Sequence, residues 1–100
     1  MSLNPKQFKF TFYTSMLIQY AYYMGYTLTY GDALAKSGHK IRSYHYKALA
    51  VDFNLFKDGE WLKDTEDHAF LGEFWERLDP MCTWGGRFQD GNHYSFGEGK

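Results

Sequence analysis

Residues 49–56, LAVDFNLF, place Val51, Phe53 and Leu55 on one side of an extended chain and Asp52, Asn54 and Phe56 on the other. A period of two is that of a half-buried strand, with one face toward a core and one toward solvent. Lys57-Asp58-Gly59-Glu60-Trp61 follows at once. Asp-Gly beside an apolar run is a strong hairpin signal, because the tightest two-residue turns need positive φ at both central positions. The chain is therefore committed to an antiparallel hairpin with one buried face.

Two helical patterns can cover that face. From Pro5 to Tyr23, the residues Tyr13, Met16, Leu17, Tyr20, Ala21 and Met24 recur at three and four, and Gly25 stands where a C-terminal cap glycine belongs. DTEDHAFLGEFWERL gives a second helix, with Asp64 or Thr65 as cap and Glu66 and Asp67 in the first turn. Its packing stripe is Phe70, Leu71, Phe74, Trp75 and Leu78, and Pro80 stops it. YTLTYG reads as a short strand, DALAKSGHK as a loop, and CTWGGRFQDGNHYSF as short strands and turns. The expectation is an α+β fold in which two main helices pack on a small antiparallel sheet, as a single domain over residues 1–100.

Composition narrows the function classes. The chain has 21% aromatic residues, enough to build a core, and 11 basic against 12 acidic residues, for a net charge of -1. That balance predicts no nucleic-acid partner and no attraction to anionic lipid. The most apolar stretch, FYTSMLIQYAYYMGY, is too short and too interrupted to span a bilayer, so no stable membrane insertion is expected. MSLNPKQFKF has no signal-peptide pattern, which predicts a chain made in a cytoplasm. Cys82 is the one cysteine, expected as a small buried hydrophobe, so any metal site must use His and carboxylates.

The chain has four histidines. His39, between lysines in a loop, and His68, in the first turns of a helix beside Asp64 and Asp67, read as surface or locally paired residues. His45 and Asp52 differ, since Asp52 interrupts an apolar strand and a carboxylate there must be solvated, paired or metal-bound. Asp90 and His93 flank Gly91-Asn92, as a surface turn or as half of a metal site. Three protein ligands and one free carboxylate are the minimal set for zinc-dependent hydrolysis, and His45, Asp52 and His93 with Asp90 can supply them. Trp61, Trp75, Phe53 and Leu55 are expected in the core. Trp84 is either a groove wall or a support for the Gly85-Gly86 turn, and one of Tyr44 and Tyr46 is a candidate for facing substrate.

These residues resemble the metallopeptidase family of D-alanyl-D-alanine carboxypeptidases (VanY type) and L-alanyl-D-glutamate endopeptidases, which includes phage endolysins. The family pattern is Ser-x-His-x-x-Gly-x-Ala-x-Asp, then Trp-Gly-Gly and Asp-x-x-His. SYHYKALAVD supplies Ser43, His45, Ala50 and Asp52, and WGGRFQDGNHYS supplies Trp84, Gly85, Gly86, Asp90 and His93. The resemblance implies one zinc on His45, Asp52 and His93, and Asp90 as the catalytic carboxylate. It implies a Hedgehog/DD-peptidase-like fold and cleavage of an amide bond in the stem peptide of bacterial peptidoglycan. For a phage lysis enzyme it implies synthesis in the host cytoplasm and action on the wall after release, with the protein expected as a monomer.

Two positions depart from the pattern. Ala48 replaces the family glycine, and GDALAKSGHKIRS is abbreviated and lacks the Arg usual in phage members. Arg42 is the nearby substitute as a clamp, and with Ser43 it is expected to support the attacked carbonyl oxygen. The alternatives are a D-Ala-D-Ala carboxypeptidase, or a zinc-containing cell-wall-binding protein with weakened catalysis.

Overall fold

The computed structural model describes residues 4–31 and 49–97. Within them the alternating run is a strand, β2 (Ala50–Lys57), with Val51, Phe53 and Leu55 buried and Asp52, Asn54 and Phe56 only partly covered. Asp58 and Gly59 have φ of 52° and 82°, the two positive values that a tight hairpin turn requires. They return the chain into β3 (Glu60–Leu62), which pairs Lys57 with Glu60 and Leu55 with Leu62.

The first helix, α1 (Asn4–Tyr23), ends as its glycine predicts. Gly25 has φ 94°, its N–H donates to the Tyr22 carbonyl, and Tyr26 N–H reaches back to the Ala21 carbonyl at 3.0 Å. That pair of bonds satisfies carbonyls the helix end would leave open. The buried stripe is Phe10, Thr14, Leu17 and Ala21, rotated from the expected one, and Met24 is exposed. Thr14 belongs to it because its hydroxyl donates to the Phe10 carbonyl at 2.7 Å, so no polar group is buried unpaired.

β1 (Thr27–Tyr30) follows and pairs with β2. The second helical segment is divided. A 3₁₀ turn, Thr65–His68, precedes α2 (Ala69–Leu78). Asp67 holds that turn by accepting the Asp64 N–H at 3.1 Å. Asp79 is extended, as a residue before proline prefers, and ends α2 ahead of Pro80. β4 (Cys82–Trp84), a 3₁₀ turn over Gly85–Phe88, and β5 (His93–Phe96) complete the order.

Among the described residues, five strands form one antiparallel sheet, β1-β2-β5-β4, with β3 also on β2. This is the expected α+β plan of two helices and a small antiparallel sheet. Both helices cover one face, where Leu17, Ala21, Leu71 and Trp75 meet Val51, Phe53, Leu55, Cys82, Tyr94 and Phe96. Trp75 is central. Its ring stands edge-on to Phe10 and Tyr94 at 6.0 and 6.1 Å, and its Nε1 donates to the Ser95 carbonyl at 3.0 Å. Cys82 is fully buried, as expected.

Trp61 corrects the expectation of a core residue: it is 51% exposed. It sits opposite Phe56 in the hairpin, and both rings stack on the side of the sheet away from the helices. Among the described residues, no helix is long and apolar enough to cross a membrane.

Candidate metal centre

Alternation along β2 and β5 turns Asp52 and His93 away from the core, and the register sets them directly opposite each other. Asp52 Oδ1 and His93 Nδ1 are 3.0 Å apart. Their side chains retain 18% and 27% exposure, so the pair is held by the sheet yet open to solvent. The neighbouring rung on the same face joins Ala50, Ser95 and Thr83. On the other edge of β2, Gly31 N–H donates to the Asp52 carbonyl at 2.8 Å, which fixes the backbone beneath the carboxylate.

The backbone of Asp90 is tied to that of His93 through a turn. Its N–H donates to the Gly85 carbonyl at 3.0 Å, and its carbonyl accepts the His93 N–H at 3.1 Å, closing a four-residue turn with Gly91 and Asn92 at the centre. Asp90 is exposed. It also lines a cavity of about 200 Å³ between that turn and β3.

The Trp-Gly-Gly run has a steric cause. A Cβ on Gly85 would collide with the Asp90 carbonyl oxygen and come within 2.9 Å of His93 Cβ. A Cβ on Gly86 would enter the Trp84 ring. Trp84 Nε1 donates to the Gly91 carbonyl at 2.7 Å, while its backbone N–H donates to Glu76 Oε2 at 2.9 Å. Of the two roles open to Trp84, the structure gives it support of the turn that carries Asp90 and His93. Glu76, which also holds Arg87 in a two-point ion pair, is a positioning residue that the sequence did not reveal. Nothing in its spacing marks it, because its partners lie beyond the helix.

His68 corrects the expectation of a surface residue. It is 2% exposed, and its Nδ1 lies 2.9 Å from the Tyr94 hydroxyl. Burial lowers its pKa below the ordinary histidine value, against a smaller opposing effect of Asp67. Burial also pushes the Tyr94 phenol well above its ordinary value. A neutral imidazole and a neutral phenol thus meet beneath the turn. The His68 partner, Tyr94, alternates with His93 and Ser95 along β5 and so points inward.

The structure thus brings together Asp52 and His93, with Asp90 three residues before His93 on the same turn. Arg42, Ser43 and His45, with His39, Tyr44, Tyr46 and Ala48, lie outside the described residues. Among the described residues, no group of three or more His, Cys, Asp or Glu stands close enough to hold a metal. Carboxylate oxygen and imidazole nitrogen are nevertheless donor types that zinc accepts. The observed 3.0 Å separation is that of a direct hydrogen bond between the two side chains. Comparisons with protein-family models, with curated proteins and with solved structures found no match to this chain.

Proposed function

We propose that the chain is a zinc-dependent peptidase that cuts an amide bond in the stem peptide of bacterial peptidoglycan, as an L-alanyl-D-glutamate endopeptidase of a phage lysis system. The finer fold proposed with it is the Hedgehog/DD-peptidase-like one. The observation that carries this reading is the cross-strand Asp52–His93 pair, with Asp90 fixed at the other end of the turn that delivers His93. Support also comes from the steric need for Gly85 beneath those residues and for Gly86 against the Trp84 ring that braces their turn, which links the Trp-Gly-Gly and Asp-x-x-His motifs physically.

In this reading His45, Asp52 and His93 hold the zinc. When bound, zinc supplies a Lewis acid for the scissile carbonyl and lowers the pKa of an attacking water. Asp90 takes the water proton on its carboxylate and returns it to the leaving amine. Arg42 and Ser43 are the residues this reading assigns to stabilising the carbonyl oxygen as negative charge gathers on it. Asp52 and His93, being on paired strands, contribute rigidity. The enzyme is made in the host cytoplasm, acts as a monomer and meets peptidoglycan after release.

Purified peptidoglycan digested with the zinc-loaded chain tests this. New amino groups at one stem-peptide bond are expected, and mass analysis of the fragments tells Ala-Glu cleavage from loss of a terminal D-Ala. Asp90→Ala should keep zinc and fold but lose turnover. Full hydrolysis by that variant would exclude the role given to Asp90.

A further inference from the structure

β3 and β5 share one edge of β2 in succession, since β5 pairs with residues 50–52 and β3 with residues 55–57. The gap between them, level with Phe53 and Asn54, is the cavity of about 200 Å³ that Asp90 lines. Its other walls include Trp61, Lys63, Thr65 and the buried imidazole of His68. Continuing the Leu55–Leu62 register puts Lys63 level with Asn54, two residues along β2 from Asp52. Two residues of strand are about 7 Å, or the advance of two residues in an extended peptide.

Lys63 is prepared as a cation. Its Nζ lies 4.9 Å from the centre of the Trp61 ring, and Trp61 itself stacks on Phe56. A ring so occupied holds the ammonium in place rather than offering a bare platform to a sugar. Although Asp90 lines the same cavity, Lys63 makes no ion pair among the described residues. Burial of His68 lowers its pKa, so that wall adds no competing positive charge at neutral pH.

We infer that Lys63 anchors a carboxylate of the substrate peptide, in the cavity between β3 and the Asp90 turn, one or two residues from the amide that is cut. The inference rests on the peptidase reading for its substrate, and it assigns an acidic residue beside the scissile bond as a determinant of specificity.

The test uses the stem tripeptide L-Ala-γ-D-Glu-L-Lys with its C-terminal Lys carboxylate amidated, and the same peptide with the Glu α-carboxylate amidated as well, which lacks only that carboxylate. Where the zinc-loaded chain cuts them, kcat/KM is the readout. Where it leaves them intact, titration of the Trp61 indole resonance gives Kd. Wild type should favour the acid by about tenfold, the size of one hydrogen bond to a charged group. Lys63→Gln should bring the acid down to the amide's value, and Lys63→Arg should retain the preference. Equal handling of the two peptides by wild type, or a preference that survives in Lys63→Gln, overturns the inference. A Lys63-dependent preference for peptides that stay intact supports the anchor and overturns the hydrolase instead.

Discussion

Asp52 and His93 occupy one rung of the β2–β5 ladder, with Oδ1 and Nδ1 3.0 Å apart on the face opposite the core. The same pleat that drives Val51 and Tyr94 into the core delivers an acid and an imidazole to solvent, so the core and the candidate site share one register. A slip of one residue would bury both polar groups and expose the aromatic ones.

Gly85 packs directly beneath the turn that carries Asp90 and His93. Gly85→Ala would thrust a methyl group into the Asp90 carbonyl and toward His93 Cβ. The backbone must move, at a cost of about 1–3 kcal/mol. The expected result is a lower urea midpoint together with weaker zinc affinity, read by unfolding and by competition with a chelating dye. An unchanged zinc affinity would show that the turn does not position His93.

The hairpin, both helices and the inward alternation of β2 were legible because each rests on a local rule: period, Asp-Gly, Gly25 and Pro80. His68 was not legible, since charged neighbours at 64, 66 and 67 mimic a solvated face. Its burial depends on Tyr94, which lies 26 residues away. Trp61 misled for the opposite reason. Its size suggests a core, but its register with Phe56 puts it on the outer face. At the site, Asp52 was legible as a carboxylate within an apolar strand. Its convergence with His93 was expected from the shared ligand set, but the strand register that brings it about spans 41 residues and is a tertiary fact that was not legible.

Buried His68 makes stability depend on pH. Its folded pKa is lowered from the ordinary 6.5, so below that value the unfolded chain binds more protons than the folded one. Stability should therefore be complete above about pH 6.5 and fall as pH drops from there toward the depressed folded value. Urea midpoints measured from neutral to mildly acid pH should decline in wild type and less steeply in His68→Gln. Equal slopes would mean that His68 is protonated alike in both states.

Trp75 joins Phe10 of α1 to Tyr94 of β5 and is fully buried. Trp75→Ala removes that contact and its bond to the Ser95 carbonyl, and should destabilise the fold by about 3–5 kcal/mol. Chemical denaturation measures it. A loss below about 1 kcal/mol, within the range of ordinary surface substitutions, would contradict the central packing role.

The central claim is that Asp52 and His93 hold a zinc ion. Metal analysis of the chelator-free chain, after zinc loading and desalting, tests it most directly when wild type and His93→Ala are compared. The account predicts about one zinc per wild-type chain, as a single three-ligand site requires, and none retained by folded His93→Ala. Equal zinc in the two proteins, or none in wild type, would contradict it.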